Sequence, residues 1–320
     1  MTAILASFPS PSQNVLEIGP LTIHFYGIMI AIGVIVAVLV AKRRYERFGG
    51  SGELVERVSI WAVALGFLGA RLGYVITHTG DFIDRPWGVL FIWEGGLALY
   101  GGLTVGAIAA IFLLRRSKGD IFAFGDAVAV GIPLAQAIGR WGNYFNQELF
   151  GTPSNLPWAV EIDPNIAAAA GYPGFTTFHP TFLYESLWNV FLTAGIILLL
   201  ERRGKLAKGS SIALYLIIYG AGRFFMELMR TDTTFRLLGL SRNGWISAGA
   251  VLFGIGLLWW MQRRGEPRVL VGPPVFIAPG AETVAAPVGD GEPSDEGTED
   301  SSGLSFGDGK GGHGSPPPSA

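Results

Sequence analysis

The sequence predicts an all-α integral membrane protein with seven transmembrane helices, an N-terminus outside the cell and a cytoplasmic C-terminus. Half of the 320 residues are hydrophobic and 15% are charged, whereas about a quarter of the residues in a soluble domain carry a charge. Seven apolar runs approach the roughly 20 residues that a helix needs to cross a bilayer. We therefore expect lipid, not water, to surround most of this chain.

The seven apolar runs follow one another with short connections, and two of them contain polar residues. Asp126, Pro133 and Gln136 interrupt the fourth run, and the sixth contains Arg223 and Glu227. Polar groups at membrane depth are tolerated where they line a cavity, so these two helices are expected to border a polar site. The predicted helices comprise residues 21–40, 58–77, 90–114, 121–138, 181–200, 212–229 and 244–261.

The distribution of basic residues predicts the orientation, because lysine and arginine in short loops remain in the cytoplasm. Of the 23 basic residues, 15 follow the first, third, fifth and seventh helices, and they include every lysine except Lys310. The basic residues of the opposite side are all arginines, whose planar side chain binds phosphate through paired hydrogen bonds. The outer face is therefore predicted to recognise an anion at the lipid headgroups. These arginines are Arg71, Arg85, Arg140, Arg223, Arg230, Arg236 and Arg242.

Composition divides the chain into a seven-helix membrane domain, residues 1–264, and a tail, residues 265–320. Gly, Pro, Ser and acidic residues dominate the tail, which has too few apolar residues to offset the entropy lost on ordering, so we expect it to be disordered in the cytoplasm. No basic segment precedes an apolar run in residues 1–20, so no cleavable signal peptide is expected. The chain has no cysteine, which excludes disulfides, thiolate metal sites and a cysteine nucleophile. The near balance of 23 basic and 25 acidic residues gives no indication of nucleic-acid binding.

The most informative stretch is residues 139–151, Gly-Arg-Trp-Gly-Asn-Tyr-Phe-Asn-Gln-Glu-Leu-Phe-Gly. Its polar residues, which lie among aromatic ones directly after the fourth apolar run, are Arg140, Asn143, Asn146 and Glu148. A charged cluster at the end of a transmembrane helix is costly and marks a functional site by default. The alternative is a polar loop that happens to follow a helix. Arg140 and Asn143 would share one face if the helix continues through them.

A second polar group lies on the sixth predicted helix. Its members are spaced by 4, 4 and 3 residues and therefore share one helix face; they are Tyr219, Arg223, Glu227 and Arg230. A glutamate between two arginines offsets the cost of burying all three charges. A purely structural ion pair would also explain this arrangement. The surplus positive charge is what a bound phosphate would neutralise.

Further candidates lie near the outer ends of the first and third helices. His24 and Tyr26 belong either to an interfacial aromatic belt or to the site. Gly102 and Gly106, four residues apart, let another helix approach closely, and Tyr100 lies between two glycine pairs.

Two further residues each have two possible interpretations, and a third has a structural role. Arg71 either extends to the lipid headgroups or faces a buried acid. His179 is an interfacial histidine or a functional one, and Thr181 is expected to cap the fifth helix.

Taken together, these residues resemble the bacterial prolipoprotein diacylglyceryl transferase family. Residues 139–151 match every fixed position of its signature, Gly-Arg-x-Gly-Asn-aromatic-x-Asn-x-Glu-x-x-Gly. The resemblance covers residues 20–262 and includes residues 24–27, Gly101-Gly102, His179-Pro180, Tyr184-Glu185 and residues 219–230.

The resemblance implies a transferase of the bacterial cytoplasmic (inner) membrane, with its active site toward the outer leaflet. Such enzymes move the diacylglyceryl group of phosphatidylglycerol to the lipobox cysteine thiol in the signal peptide of a preprolipoprotein. The products are a thioether-linked lipid and glycerol phosphate, and this is the first step of lipoprotein maturation. No metal or organic cofactor is implied. The implied partners are phosphatidylglycerol, preprolipoprotein signal peptides and membrane lipids, without nucleic acid.

The resemblance also suggests roles for single residues. Arg140 and Arg223 would hold the phosphate and stabilise the departing glycerol phosphate. Asn143 and Asn146 would position headgroup oxygens, and Glu148 would orient an arginine or accept a proton. The implied phosphatidylglycerol-binding residues are Arg140, Asn143, Asn146, Arg223, Glu227, Arg230, Tyr219, His24, Gly101, Gly102 and Gly151.

The group that accepts the thiol proton is left open. Some family members have a histidine, proposed as the general base, where this chain has Tyr100. Tyrosine has an ordinary pKa of about 10 and is a weak base at neutral pH. The choice is among Tyr100, Tyr26, Glu148 and no dedicated base.

Two other functions are alternatives to the transferase activity. An anion or lipid transporter would suit the arginine stripe of the sixth helix, but a transporter has no need of the signature in residues 139–151. A non-catalytic membrane scaffold would tolerate loss of Arg140.

Overall fold

Long α-helices dominate the structure, as the apolar runs predict. The computed structural model describes residues 7–11, 13–19, 21–91, 95–229, 236–238 and 240–271. Arg230 and residues 272–320, most of the predicted tail, lie outside this set. The α-helices are α1 (Phe25–Arg47), α2 (Gly52–Thr77), α3 (Leu99–Arg116), α4 (Ile121–Asn146), α5 (Pro164–Ala169), α6 (Thr181–Leu187), α7 (Gly195–Arg202), α8 (Ser210–Met229) and α9 (Arg242–Arg264). A π-helical segment, Trp188–Ala194, joins α6 to α7.

Several of these helices are suited to a membrane. Among the described residues, six helices are long and apolar enough to cross a bilayer: α1, α2, α3, α4, the continuous helix Thr181–Arg202 and α9. The remaining long helix, α8, has 20 residues and contains Arg223 and Glu227. It packs against α4, α9 and the π-helical segment. The prediction of a mostly helical membrane protein is confirmed.

The first helix begins later than predicted. Residues 21–24 form strand β2 (Leu21–His24), which pairs with the antiparallel strand β1 (Val15–Ile18), and α1 starts at Phe25. The turn between the strands includes Gly19, whose φ of +60° suits glycine. Residues 21–23 are apolar in part, and composition alone does not separate such a strand from the start of a helix.

The third helix also begins later than predicted, at Leu99 and not at residue 90. Gly95 and Gly96 have φ of +87° and +70°, values that interrupt a right-handed helix. The chain before them forms two short 3-10 helices, Thr79–Phe82 and Pro86–Leu90. The connection between α2 and α3 is therefore longer and more structured than the sequence suggested.

A small folded unit lies between α4 and α6, where the sequence predicted only a polar connection. Strand β3 (Val160–Glu161) pairs with β4 (Thr177–Phe178), and α5 lies between them in the chain. Phe8 of the N-terminal segment forms a parallel bridge with Val160. A third hairpin, β5 (Arg236–Leu237) with β6 (Leu240–Ser241), precedes α9. The core of the unit consists of Val160, Ile162, Ala167, Phe178 and Phe182.

Glycines bring two pairs of helices into close contact, as the spacing of Gly102 and Gly106 predicts. A Cβ on either residue would lie 3.0 Å from a backbone oxygen of α2. In the same way, a Cβ on Gly131 of α4 would lie 2.7 Å from the carbonyl oxygen of Ala37 on α1. Small residues thus allow the backbones of α1 and α4, and of α2 and α3, to approach each other.

The end of the bundle where α1, α3, α7 and α9 finish, which we call the basic end, contains a buried ionic cluster. Arg268 Nη2 lies 2.8 Å from Asp126 Oδ2, and Arg268 Nη1 lies 2.7 Å from Glu201 Oε1. Arg44 pairs with the same glutamate at 2.7 Å. Asp126, expected to border the polar site, instead lies at the opposite end of α4 from Arg140, fully buried and neutralised by Arg268.

The first residues after α9 pack on the basic end. Lys208 N donates to the Glu266 carbonyl over 3.0 Å, and Val271 N donates to the Arg47 carbonyl over 2.8 Å. Lys208 Nζ also lies 3.0 Å from Glu266 Oε2, and its hydrogen bond lowers the pKa of that carboxyl. Residues 266–271 are therefore attached to the helix bundle.

Arg268 is expected to stabilise the fold strongly. Arg268→Ala leaves the Asp126 carboxylate buried without its cation, which costs about 3–5 kcal/mol of the free energy of unfolding. The control is Arg264→Ala, since Arg264 forms an ion pair with Glu266 in which both side chains are well exposed, and such pairs contribute about 0–1 kcal/mol. Thermal unfolding of the detergent-purified protein, followed by tryptophan fluorescence, measures both. Equal melting temperatures for the two variants would contradict the buried pair's role.

Candidate active site

Arg140 and Asn143 lie on one face of α4, as their spacing predicts. The helix continues to Asn146, and Arg140 Nη1 donates to Asn143 Oδ1 over 3.3 Å. The other terminal nitrogen, Arg140 Nη2, lies 2.6 Å from Glu185 Oε2 on α6. Glu185 is only 6% exposed, so its charge depends on this arginine. The Arg140 guanidinium is thereby held in one pose between α4 and α6.

The chain turns back where α4 ends, and this brings Glu148 to the same group. Gln147 has a φ of +51°, the left-handed conformation that often ends a helix. Glu148 Oε1 accepts hydrogen bonds from Asn143 Nδ2 (2.7 Å) and Asn146 Nδ2 (3.4 Å). Glu148 thus influences Arg140 through Asn143.

Two signature glycines let side chains pack directly on the backbone. A Cβ on Gly142 would lie 2.6 Å from the ring of Tyr26, and a Cβ on Gly151 would lie 2.8 Å from His179 Cβ. Distances this short exclude a larger residue at either position unless the neighbour moves. Tyr26 therefore packs on α4, and His179 packs on the segment that follows it.

The expectation that Thr181 caps the fifth helix is wrong. Pro180 occupies the N-cap position of α6, and the Thr181 hydroxyl donates to the backbone carbonyl of Leu149. His179 Nδ1 lies 3.1 Å from the Tyr184 hydroxyl. His179 and Thr181 therefore tie the segment after α4 to the start of α6.

The second polar group forms on α8, as its spacing predicts. Arg223 Nη2 lies 2.9 Å from Glu227 Oε2, one turn later. Glu227 Oε1 accepts a 2.7 Å hydrogen bond from Ser241 Oγ at the start of α9. Arg223 Nη1 is buried and has no hydrogen-bond partner within the described part of the chain. The contacts of Arg230, the other arginine predicted here, fall outside the residues that the structure describes.

Both polar groups border one cavity. Glu185, the partner of Arg140, and Arg223 both belong to its wall. Tyr219, on the same face of α8, lies within electrostatic range of Arg140, Arg223 and Glu185. The sequence placed these residues in two separate stretches, and the fold brings them together. The cavity is lined by Glu185, Trp188, Asn189, Tyr219, Gly222, Arg223 and Met226.

Sequence reasoning gave no role to two residues of this cavity. The sequence does not predict that Glu185, at the start of the fifth predicted helix, neutralises Arg140. Asn189 was not noted at all, yet it is a polar residue inside an apolar run, and such residues mark functional positions in membrane helices. That signal was available in the sequence.

Of the predicted site residues, Tyr219 and Arg223 line the cavity, and four others have contacts elsewhere. His24 precedes α1 and its side chain is exposed. Gly101 and Gly102 pack against α2, where a Cβ on Gly101 would lie 2.5 Å from the carbonyl oxygen of Gly69. Tyr100 donates its hydroxyl hydrogen to Asn243 Oδ1 over 2.7 Å and so links α3 to α9.

Arg71 has neither of its two predicted partners. It is 7% exposed, and its guanidinium donates to the backbone carbonyls of Gly88, Val89, Gly95 and Gly96. Arg71 therefore organises the connection between α2 and α3. Across the described ranges, no group of three His, Cys, Asp or Glu side chains is arranged to hold a metal ion.

Comparisons with known proteins identify the family of this chain. A model of the prolipoprotein diacylglyceryl transferase family matches residues 13–260. A phosphatidylglycerol–prolipoprotein diacylglyceryl transferase of Frankia alni is 43% identical over 269 residues, which cover 83% of this chain and 70% of the relative. The enzyme of the same name from Paenarthrobacter aurescens is 43% identical over 272 residues, covering 81% and 84%. Enzyme 1 of this name from Streptomyces coelicolor is 43% identical over 288 residues, covering 89% and 81%. The chain belongs to the prolipoprotein diacylglyceryl transferase family.

Proposed function

We infer that this protein transfers the diacylglyceryl group of phosphatidylglycerol to the lipobox cysteine of a preprolipoprotein. One observation carries the proposal: Arg223 and Glu185, the carboxylate partner of Arg140, line one cavity. Tyr219 in the wall of this cavity lies within electrostatic range of both arginines. Arg140 is held by Glu185, and Arg223 is held by Glu227. Paired arginines of this kind bind phosphate through directed hydrogen bonds.

The protein spans the bacterial inner membrane seven times, with its N-terminus outside and its C-terminus in the cytoplasm. Support comes from the six apolar helices together with α8. The basic last turns of α1, α3, α7 and α9, all at the basic end, favour a cytoplasmic location for that end. The active site then faces the outer leaflet. The membrane domain comprises residues 1–264, and residues 265–320 form a cytoplasmic tail.

In the reaction, the cysteine sulfur attacks the carbon of the diacylglyceryl group that carries the phosphate ester. A carbon–sulfur bond forms, the carbon–oxygen bond breaks, and its electron pair leaves with the phosphate oxygen as glycerol phosphate. The negative charge that develops on this oxygen is what Arg140 and Arg223 stabilise. Because their carboxylate partners fix both guanidinium groups beforehand, little reorganisation is needed in the transition state.

The remaining polar residues position the headgroup and handle the thiol proton. Asn143 and Asn146 both donate to Glu148, so the three side chains form one polar unit beside Arg140. We propose Glu148 as the proton acceptor, because its carboxylate group can take up a proton and belongs to this polar unit. Tyr100 is not favoured, since its hydroxyl hydrogen is already donated to Asn243. Tyr26 packs on α4 at Gly142.

The alternative function, an anion or lipid transporter, is less well supported. An anion path would leave a row of arginines free to pass a ligand from one to the next. Arg140, Arg223 and Arg44 are instead each paired with a carboxylate.

Loss of Arg140 is expected to abolish most of the transfer activity. Arg140→Ala should lower kcat/KM about 10²–10³-fold, the usual effect of removing one group that stabilises developing charge. The assay combines purified protein, phosphatidylglycerol and a lipobox peptide, and detects the lipidated peptide. Arg57→Ala, at an exposed position on α2, is the matched control and should retain full activity.

The outcomes of this assay separate the proposals. Unchanged transfer by folded Arg140→Ala would remove the phosphate role of this residue. Absence of transfer by folded wild-type protein would return the transporter function to consideration.

The proton acceptor is tested by comparing Tyr100→Phe with Glu148→Gln. Tyr100→Phe removes one hydrogen bond and should lower kcat/KM by about tenfold or less. Glu148→Gln keeps the size of the side chain but removes the base, so the expected loss is about 10²–10⁴-fold. A greater loss for Tyr100→Phe than for Glu148→Gln in the same transfer assay would assign the base to Tyr100.

A further inference from the structure

Asn189 is a buried amide whose hydrogen bonding is incomplete. The residue is 2% exposed, and its Oδ1 finds no hydrogen-bond partner among the residues described. It lies in the π-helical segment Trp188–Ala194, and π-helical turns occur frequently at functional sites. An unpaired polar atom in the interior destabilises a fold, so a residue of this kind is better explained by a ligand than by packing.

A second unpaired group borders the same cavity and has the opposite hydrogen-bonding character. Asn189 and Arg223 both belong to the cavity wall, and Arg223 Nη1 is a buried donor without a partner in the described ranges. The free space of the cavity is about 10 Å³, enough for one group the size of a water molecule. A single hydroxyl fits this space, and the phosphate of the same headgroup would lie outside it, next to Arg223.

The two unpaired atoms together specify the chemistry of a ligand. Arg223 Nη1 requires an acceptor, which a phosphate oxygen supplies. Asn189 Oδ1 requires a donor, which a phosphate diester lacks and a hydroxyl supplies. A hydroxyl both donates and accepts, so it also pairs with the amide nitrogen if the Asn189 side chain is turned over.

We propose that Asn189 forms a hydrogen bond with a hydroxyl of the lipid's glycerol headgroup while Arg223 binds the phosphate. Asn189 thereby selects phospholipids whose headgroup carries a hydroxyl close to the phosphate. This role rests on the proposed transferase function, because it concerns the donor lipid of that reaction.

Contacts of the preceding residue, Trp188, hold Asn189 in place. The neighbouring Trp188 Nε1 donates to the carbonyl of Ile218 on α8 over 3.0 Å. Gly222 makes room for this ring, since a Cβ there would lie 2.2 Å from Trp188 Nε1. The π-helical segment is thus fixed against α8, and Asn189 is fixed relative to Arg223. Such preorganisation makes one hydrogen bond effective in discriminating between ligands.

A cationic headgroup is a poor alternative. An ammonium group would also donate to Asn189, but it would bring a further positive charge next to Arg223. The two carboxylates nearby, Glu185 and Glu227, already neutralise Arg140 and Arg223. A neutral hydroxyl adds no charge and is therefore the favoured partner.

The experiment compares two donor lipids that differ only in the headgroup hydroxyls. Phosphatidylglycerol and phosphatidylpropanol are each given, in mixed micelles with a lipobox peptide, to wild type, Asn189→Ala and Asn165→Ala. The wild type should prefer phosphatidylglycerol by about tenfold to a hundredfold in kcat/KM, the effect of one buried hydrogen bond. In Asn189→Ala the ratio should fall toward one, mainly through slower transfer from phosphatidylglycerol. Asn165, exposed on α5, is the control and should keep the wild-type ratio.

The ratio within each variant separates this proposal from the transferase function. A wild-type ratio in Asn189→Ala, with active enzyme, would overturn the role of Asn189 and indicate that a water molecule alone completes its hydrogen bonds. No transfer from either lipid by folded wild type would overturn the transferase function itself. If Asn189→Ala does not fold, Asn189→Ser, which keeps a shorter polar side chain, should give an intermediate ratio, and an unchanged ratio would also overturn the proposal.

Discussion

The pairing of charged side chains inside the helix bundle is the constraint on which the structure depends. Burying an ionised group costs several kcal/mol unless an opposite charge accompanies it, and α4 carries such groups at both ends. Asp126 is neutralised by Arg268 at the basic end, and Arg140 is neutralised by Glu185 at the other. Asp126 and Arg140 are 14 residues apart, roughly 21 Å along the helix. One helix therefore connects a structural charge cluster to the proposed active site.

Arg71 and Arg44 direct their donors to groups within the fold, whereas Arg223 leaves one donor unused within the part of the chain that the structure describes. Arg71 donates to four backbone carbonyls and holds the connection between α2 and α3. Arg44 donates to Glu201 and to the carbonyls of Asp126 and Ala127. Arg223, by contrast, keeps one buried nitrogen without a partner in the described structure. A guanidinium fixed on one side and available on the other is suited to bind a phosphate.

The sequence predicts much of this account, because helices and local spacing depend on neighbouring residues. Periodic spacing along the chain predicts the long helices, the shared face of Arg140 and Asn143, and the Arg223–Glu227 pair. The sequence does not predict the partners that come from distant segments. The pairing of Glu185 with Arg140 and of Arg268 with Asp126 depends on how the helices pack. The hairpin before α1 was missed because its apolar residues continue into the helix. The glycine pair before α3 was missed because a positive φ is not visible in composition.

The central claim, that Arg140 and Arg223 act on the same phosphate, is tested most directly by a double-mutant cycle on kcat/KM for diacylglyceryl transfer. Arg140→Lys and Arg223→Lys keep the charge, and therefore measurable activity, but lose the paired hydrogen bonds. Groups that act on one ligand atom couple strongly, so the double variant should lose much less than the product of the two single losses. Losses that simply multiply would show that the two arginines act independently and would contradict a shared phosphate site.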